Sequence, residues 1–376
     1  MFLAIRDLRA AKGRFALMGG VVALITLLLV MLSGLTAGLG DQSTSAINDL
    51  GAQERDGEIG RPVDRIAFGA PGGDVPTASF TESTITADQV ASWQEQPGVQ
   101  SAEALGISQT RFQALAQDGS GAGTTNVAVF GVAPEGELAP AGLASGDVVI
   151  GESVAEALAL TAGDKVSVGG KELTISAVIA DQWYSHTSVV WASSADWVEL
   201  SHLSDPGQVG TVAAITYQDR ASVDTAAADA AAGTVSASRT GSFQALASFS
   251  SENGSLMLMQ TFLYGISALV IVAFLTVWTI QRTRDIAVLK AIGGSNRYIL
   301  RDAITQAALV LLAGAGVGGV IGIVGGSFAA QAVPFLNDPA TTLLPVLGII
   351  LLGLAGAALA VRRVTKIDAL IALGGN

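Results

Sequence analysis

The sequence predicts a membrane protein with four transmembrane α-helices and a large α+β extracytoplasmic domain between helices 1 and 2. Three observations carry this expectation. Half of the 376 residues are hydrophobic and only 14% are charged, with a mean hydropathy of +0.52, which is too apolar for an ordinary soluble domain. Four segments, Phe15–Leu39, Leu256–Ile280, Ala303–Val333 and Leu343–Val361, each supply the roughly 20 apolar residues that a bilayer core about 30 Å thick requires. Charge is also segregated: 12 bases lie outside residues 41–255, whereas 41–255 carries 27 acids against 8 bases.

That segregation gives an orientation. Arg6, Arg9, Lys12, Arg14, the five cations of 282–301, Arg362, Arg363 and Lys366 all flank the same side of the spans. Positive residues stay inside, so both termini and the 282–301 loop are expected in the cytoplasm of a multi-pass cell-membrane protein. The overall charge of −12 is the average of two opposite regions and gives no sign of nucleic-acid binding. Residues 1–14 interleave Phe2, Leu3, Ile5 and Leu8 with cations, a pattern for an interfacial helix. The apolar run of 15–40 is long for a signal peptide and lacks a clear small-residue cleavage site, so it reads as a retained first helix.

The segment 41–255 is long enough for a core of its own. Glycine-rich stretches over 60–75 and 117–125 read as loops. Thr86–Glu95 is a short helix stopped by Pro97–Gly98, and Asn126–Val132 alternates as a strand. Over Val148–Ile179 a strand leads into a helix to Leu160, then two alternating runs flank Gly169–Gly170, a two-residue hairpin signal. Val189–Ala192 and Val212–Tyr217 are further strands, and Ser222–Ala232 an alanine-rich helix. Beyond it come helix 2 over 256–281, a basic segment over 282–302, helix 3 over 303–333, helix 4 over 342–361 and a tail over 362–376. In helix 3, Gly314, Gly318, Gly322 and Gly326 recur every four residues. Two readings stand: a seam where a neighbouring helix approaches closely, or the ordinary glycine enrichment of membrane helices.

The basic segment carries the strongest functional signal. Arg282, Arg284, Lys290, Arg297 and Arg301 face a single acid, Asp285, while Ile286, Leu289 and Ile292–Gly293 fall at helical spacing. Such a helix can lie along the membrane surface and pass a push from a cytoplasmic partner to both attached spans.

Intrinsic chemistry is not indicated. The chain has no cysteine, which excludes disulfides, thiolate metal sites and cysteine nucleophiles. His186 and His202 have no companion at metal-ligand spacing and read as ordinary loop histidines. Ser153 lacks the second glycine of a nucleophile elbow. No Gly-x-x-x-x-Gly-Lys-Ser/Thr loop is present, so no phosphate cradle is expected. The chain therefore reads as a non-enzyme without an intrinsic cofactor.

Three stretches resemble one family. Arg284-Asp285-Ile286-Ala287-Val288-Leu289-Lys290-Ala291-Ile292-Gly293 is similar to the coupling segment of FtsX/MacB-type (type VII) ABC transporter permeases. Gly151-Glu152-Ser153, with Leu160-Thr161-Ala162-Gly163-Asp164-Lys165-Val166, resembles that family's porter strand–helix–strand, and Arg362–Leu370 its closing segment. The resemblance implies a porter-like module plus an inserted subdomain in the exterior and ATPase coupling through Arg284, Asp285, Leu289, Lys290 and Gly293. It further implies a permease homodimer among membrane lipids, served by a separate ABC ATPase subunit in two copies that binds the ATP and Mg.

Within that family, Arg6-Asp7-Leu8-Arg9-Ala10-Ala11-Lys12-Gly13-Arg14-Phe15-Ala16-Leu17 resembles the haem-efflux permeases of Gram-positive and actinobacterial bacteria. Haem iron accepts Met, His or Tyr. Met31 lies about 22 Å along helix 1 from Ala16, and Met257, Met259 and Tyr264 open helix 2 on the same outer side. These four are the cargo candidates; the alternative is that the methionines simply fill gaps between helices. Two other functions remain open: an FtsX-like mechanotransmitting scaffold that controls extracytoplasmic partners, and efflux of lipid, peptide or antibiotic.

Overall fold

The computed structural model describes residues 12–55, 57–116, 121–203, 205–281, 288, 293 and 295–364. The chain divides into two compact units, Met1–Leu39 with Gly254–Asn376, and Gly40–Asn253.

The first unit is helical. Helix α1 (Lys12–Asn48) gives it Lys12–Leu39. Helices α2 (Ala87–Gln94), α3 (Glu152–Leu158), α4 (Ser194–Ser201) and α5 (Thr225–Ala232) belong to the second unit. Helix α6 (Ala247–Gln281) returns from Gly254 onward, followed by α7 (Asn296–Ala329) and α8 (Pro339–Val364). All four are long and apolar enough to span a bilayer. The spans of α1 and α6 extend over 34 and 35 residues, well beyond the roughly 20 a membrane needs.

Glycine sets how these helices meet. A Cβ on Gly314 would fall 2.7 Å from the Gly19 carbonyl, one on Gly318 2.3 Å from that of Ala23, and one on Gly322 2.6 Å from Val30. Three of the four regularly spaced glycines of α7 therefore form a seam against α1, where only a hydrogen leaves room for the neighbouring backbone at Gly314 and Gly318 and for Val30 at Gly322. Gly326 serves another neighbour, Phe335, whose ring is also seated on Gly34 of α1. The amide of Leu336 donates to the Gly34 carbonyl at 3.1 Å, fixing the α7–α8 connection there. Polar side chains inside the unit are satisfied along their own helices: Thr26 donates to the Val22 carbonyl at 2.8 Å, and Ser267 and Thr279 donate four residues back in the same way.

The second unit is built on a single ten-stranded sheet. Its strands are β1 (Arg65–Phe68), β2 (Val99–Leu115), β3 (Gly121–Val132), β4 (Asp147–Gly151), β5 (Lys165–Val168), β6 (Lys171–Ile179), β7 (Trp183–Tyr184), β8 (Thr187–Ser193), β9 (Val212–Tyr217) and β10 (Val235–Ser238). The order is β7-β8-β4-β6-β5-β2-β9-β1-β10, with β3 pairing both β8 and β2. The 17-residue β2 serves two groups: Val99–Leu105 pairs with β9, and Gly106–Leu115 with β3. Strands β4 and β6 are parallel, as are β3 and β8.

Short helices cover this sheet. Helix α2 (Ala87–Gln94) starts at a capping box in which Thr86 and Gln89 satisfy each other's backbone amides. Helix α3 is Glu152–Leu158, α4 is Ser194–Ser201, capped by Ser193, and α5 is Thr225–Ala232, capped by Asp224. Trp93 of α2 packs with Ala228 and Ala232 of α5 over Ala67, Ile215 and Tyr217. On α4, Trp197 fits a slot left by the cross-strand pair Gly106–Gly131: a Cβ on either glycine would come within 2.3 Å of it. Near the end of α1, Ile47 and Leu50 are fully buried with Phe68, Phe130 and Trp191.

The stretches 60–75 and 117–125, expected as loops, both contain strand. Ile66, Ala67 and Phe68 are fully buried because β1 is hydrogen-bonded on both sides, by β9 and β10. Gly121–Thr125 is held extended by pairing with Phe112–Leu115. Neighbouring strands, rather than local propensity, decide both cases.

Candidate cargo and coupling sites

Within one copy the four cargo candidates do not converge. The Met31 sulfur lies 3.5 Å from where a Cβ on Gly325 would sit, so this side chain is turned towards α7. The ring of Tyr264 packs on Gly348 of α8. Met257 and Met259 are instead 59% and 50% exposed. Met259, Phe262 and Ile266 fall at i, i+3 and i+7 and are all exposed, forming an apolar stripe along α6 that Leu269, Val277 and Ile280 lengthen. Towards the other end of the unit, Phe15, Leu17 and Met18 of α1 and Phe274, Val277, Trp278 and Gln281 of α6 line a crevice of about 210 Å³. Phe15 and Trp278 meet edge to face there, their ring centroids 5.9 Å apart.

Arg284, Asp285, Leu289 and Lys290 of the expected coupling segment lie outside the described residues. Gly293 has φ +94°, a left-handed turn conformation that glycine adopts without strain. The chain resumes as α7 at Ser295, whose hydroxyl accepts from the Tyr298 amide at 3.2 Å. Further along the same helix, Gln306 is fully buried and its amide donates to Asp302 at 2.8 Å, a polar pair inside the apolar unit.

The second unit holds a constellation that sequence reasoning missed. Strands β7 and β8 are antiparallel and joined by two residues, Ser185 and His186. Both have positive φ, +47° and +62°. A two-residue hairpin turn of type I′ demands this, and Asn-Gly is the sequence that usually supplies it. The tip is engaged by two helices. The amides of Ser185 and His186 donate to the carbonyls of Ser43 (3.1 Å) and Gln42 (2.9 Å) on α1. The Trp183 amide donates to the Ser45 hydroxyl at 2.9 Å. From α6, the Ser248 hydroxyl lies 2.8 Å from that of Ser185. His186 Nε2 stands 2.8 Å from Glu252 Oε2 on α6 and 3.1 Å from Ser43 Oγ on α1.

Serine, histidine and glutamate together suggest nucleophilic catalysis, but the geometry rules it out. A triad needs the carboxylate on one ring nitrogen and the serine on the other. Here both partners share Nε2, so that nitrogen carries its hydrogen towards a carboxylate that can only accept. The contact is a clamp, not a base. His202 is elsewhere, at the C-terminus of α4 with φ +46°. Among the described residues no group of three or more metal-ligating side chains is assembled.

One buried charge pair supports the scaffold. Burial opposes ionisation of Asp196, yet the Lys171 ammonium, the Ser193 hydroxyl and the Gly146 amide together hold its carboxyl below the usual carboxylate range.

Comparison with known proteins gives a consistent picture. Residues 15–232 match the MacB-like periplasmic core domain, and residues 257–369 match the FtsX-like permease C-terminal region. A protein of Staphylococcus epidermidis with the provisional name hemin transport system permease protein HrtB is 26% identical over 215 residues, 57% of this chain and 59% of that one. A namesake from Staphylococcus haemolyticus is 32% identical over 130 residues, 35% of this chain and 37% of its own length. An uncharacterized ABC transporter permease of Mycobacterium tuberculosis is 31% identical over 121 residues, 32% of this chain and 34% of that protein. The chain thus matches under two thirds of the length of each of these relatives. Among solved structures, the extracellular domain of the ABC-type transporter YknZ aligns at 10% identity with a TM-score of 0.35, over 47% of this chain and 98% of that domain. The periplasmic region of MacB from Actinobacillus actinomycetemcomitans aligns at 14% identity with a TM-score of 0.32, over 47% and 88%. With the core-domain match alone spanning more than half of its residues, the chain belongs to the ABC transporter permease family that joins a MacB-like periplasmic core domain to an FtsX-like permease region.

Proposed function

We propose that this chain is the permease subunit of an efflux complex that exports haem, driven by ATP turnover on a separate ATPase subunit. The observation that carries the cargo is the similarity to relatives named for hemin transport. Exposed side chains of α6 support this reading. Met259, Phe262 and Ile266 offer a polarizable sulfur beside apolar surface on the uncovered face of α6. A second copy bringing up the same stripe would enclose a flat macrocycle between two methionines, and apolar burial would give most of the affinity. Met31 and Tyr264, packed against α7 and α8, then support the helices rather than ligate. The cationic flanks support a cytoplasmic side for both termini, and in this reading the 284–293 segment there meets two copies of the ATPase with its ATP and Mg.

The test uses the full chain in detergent, mixed with haemin. A Soret band is expected, shifted by Met259→Ala and unmoved by Met31→Ala. In vesicles with the ATPase, haemin should leave the membrane only when ATP is supplied. Failure of the wild-type protein to retain haemin, together with normal haemin tolerance in a strain lacking it, would overturn the cargo assignment in favour of lipid or peptide.

A further inference from the structure

We propose that the Ser185–His186 tip is a coupling pin: it grips α1 and α6 together, and His186 is the positioning residue through which their movement reaches the ten-stranded sheet. Transmission to the exterior rests on the permease function proposed above; the grip itself does not.

The tip is built for contact rather than for turning. Two successive side-chain-bearing residues at positive φ are strained, and strain of this kind persists only where the surroundings enforce it. Here they do. Both tip amides, the Ser185 hydroxyl and the His186 ring nitrogen all meet partners on α1 or α6. Nε2 lies within hydrogen-bond reach of both Glu252 of α6 and Ser43 of α1, so one ring nitrogen registers two helices. Behind the tip, β8 runs between β3 and β4, with Val189, Val190, Trp191 and Ala192 buried. A shift imposed at residue 186 therefore arrives in the interior of the sheet, where close packing transmits it rather than absorbing it.

The experiment takes the full chain with its ATPase in vesicles. His186→Ala should leave ATP turnover near the wild-type rate and cut export about tenfold, a ratio in line with losing one charge-assisted hydrogen bond. His186→Gln, whose amide can donate to both Glu252 and Ser43, should restore export, whereas His186→Phe, which fills the space without a donor, should not. A wild-type export rate in both His186→Ala and Glu252→Ala would overturn the pin, as would turnover and export falling in parallel.

A second arm asks whether the grip is permanent. The chain has no cysteine of its own, so Ser185→Cys with Ser248→Cys places the only thiol pair where two hydroxyls now lie 2.8 Å apart. The oxidised protein should export as well as the reduced one. Loss of export on oxidation, reversed by reductant, would mean that the tip must let go, and the proposal would fall. Amide exchange at Ser185 and His186 needs no cargo. Protection is expected with and without ATP and should disappear in His186→Ala. If wild type exports no haemin but shows this protection, the cargo reading fails while the grip stands; if protection is missing, the pin fails.

Discussion

The two units of this chain solve the packing problem in opposite ways. In the helical unit, contact is made by removing side chains: Gly314 and Gly318 bring α7 against the backbone of α1, Gly322 receives Val30, and Gly353 receives Leu311. In the sheet unit, contact is made by inserting large ones: Trp93, Trp191, Trp197, Phe112 and Phe130 are all fully buried. Water explains the difference. Burying an aromatic ring away from water releases free energy in proportion to its apolar area. Between helices already surrounded by lipid there is no such gain, so close backbone approach and dispersion must supply the attraction. Even glycine changes meaning between the units. Gly318 admits a neighbouring backbone, whereas Gly106 and Gly131 admit an indole.

This contrast can be broken most severely at Trp197. Truncation to alanine empties the slot above Gly106–Gly131 and should cost about 3–5 kcal/mol of sheet-unit stability. Urea unfolding of the detergent-solubilised chain, followed by tryptophan fluorescence, measures it. The helical signal by far-UV circular dichroism should survive to the wild-type denaturant concentration. A parallel loss of both signals would show that the two packing regimes do not unfold independently.

Charge separates the units next. Asp196 is 2% exposed and bound by Lys171, Ser193 and Gly146. Asp196→Asn should cost about 2–3 kcal/mol, the range for hydrogen bonds to charged groups. The sign with pH follows from its lowered native pKa. Its stabilisation is complete above the unfolded value of about 3.9 and drains away as pH falls below that towards the native one. Acid should therefore weaken the sheet unit in wild type, and less steeply in the variant. The neutral hydroxyl-to-carbonyl bonds of Thr26, Ser267 and Thr279 should not respond over the same interval.

The membrane unit was the more legible of the two from sequence, for a physical reason. A bilayer imposes one length and one polarity on each span, so four apolar runs and a segregation of charge suffice to define it. In the sheet unit, elements with local signals were readable: Gly169–Gly170 turns β5 into β6, and Val212–Tyr217 is β9. Strand β2 was not, since Val99–Leu115 shows no sustained alternation and is held straight by partners distant in sequence. The clamp was hidden for the same reason. His186 is 143 residues from Ser43 and 66 from Glu252. The one available hint was local: a Ser-His pair without glycine or asparagine at a two-residue turn. Among the cargo candidates, the residue types and the helices could be read, but not the faces, because α6 is apolar around its whole circumference and only packing distinguishes Met259 from Tyr264.

The smallest effect gives the sharpest discrimination. Gly316 and Gly318 sit two residues apart on α7, point to different sides and look equivalent in sequence. A Cβ on Gly318 would press to 2.3 Å from the Ala23 carbonyl, whereas one on Gly316 meets nothing within 4 Å. Gly318→Ala must push α1 and α7 apart and should cost about 1–3 kcal/mol, as overpacking does. Gly316→Ala adds a better helix former in empty space and should stabilise by roughly 0.4–1 kcal/mol. Thermal unfolding in detergent, read on the helical signal, compares the pair directly. Opposite signs establish the seam as a contact surface. Equal and small changes would mean that these glycines are merely tolerated in a membrane helix, and that the close approach of α1 to α7 contributes little to holding the unit together.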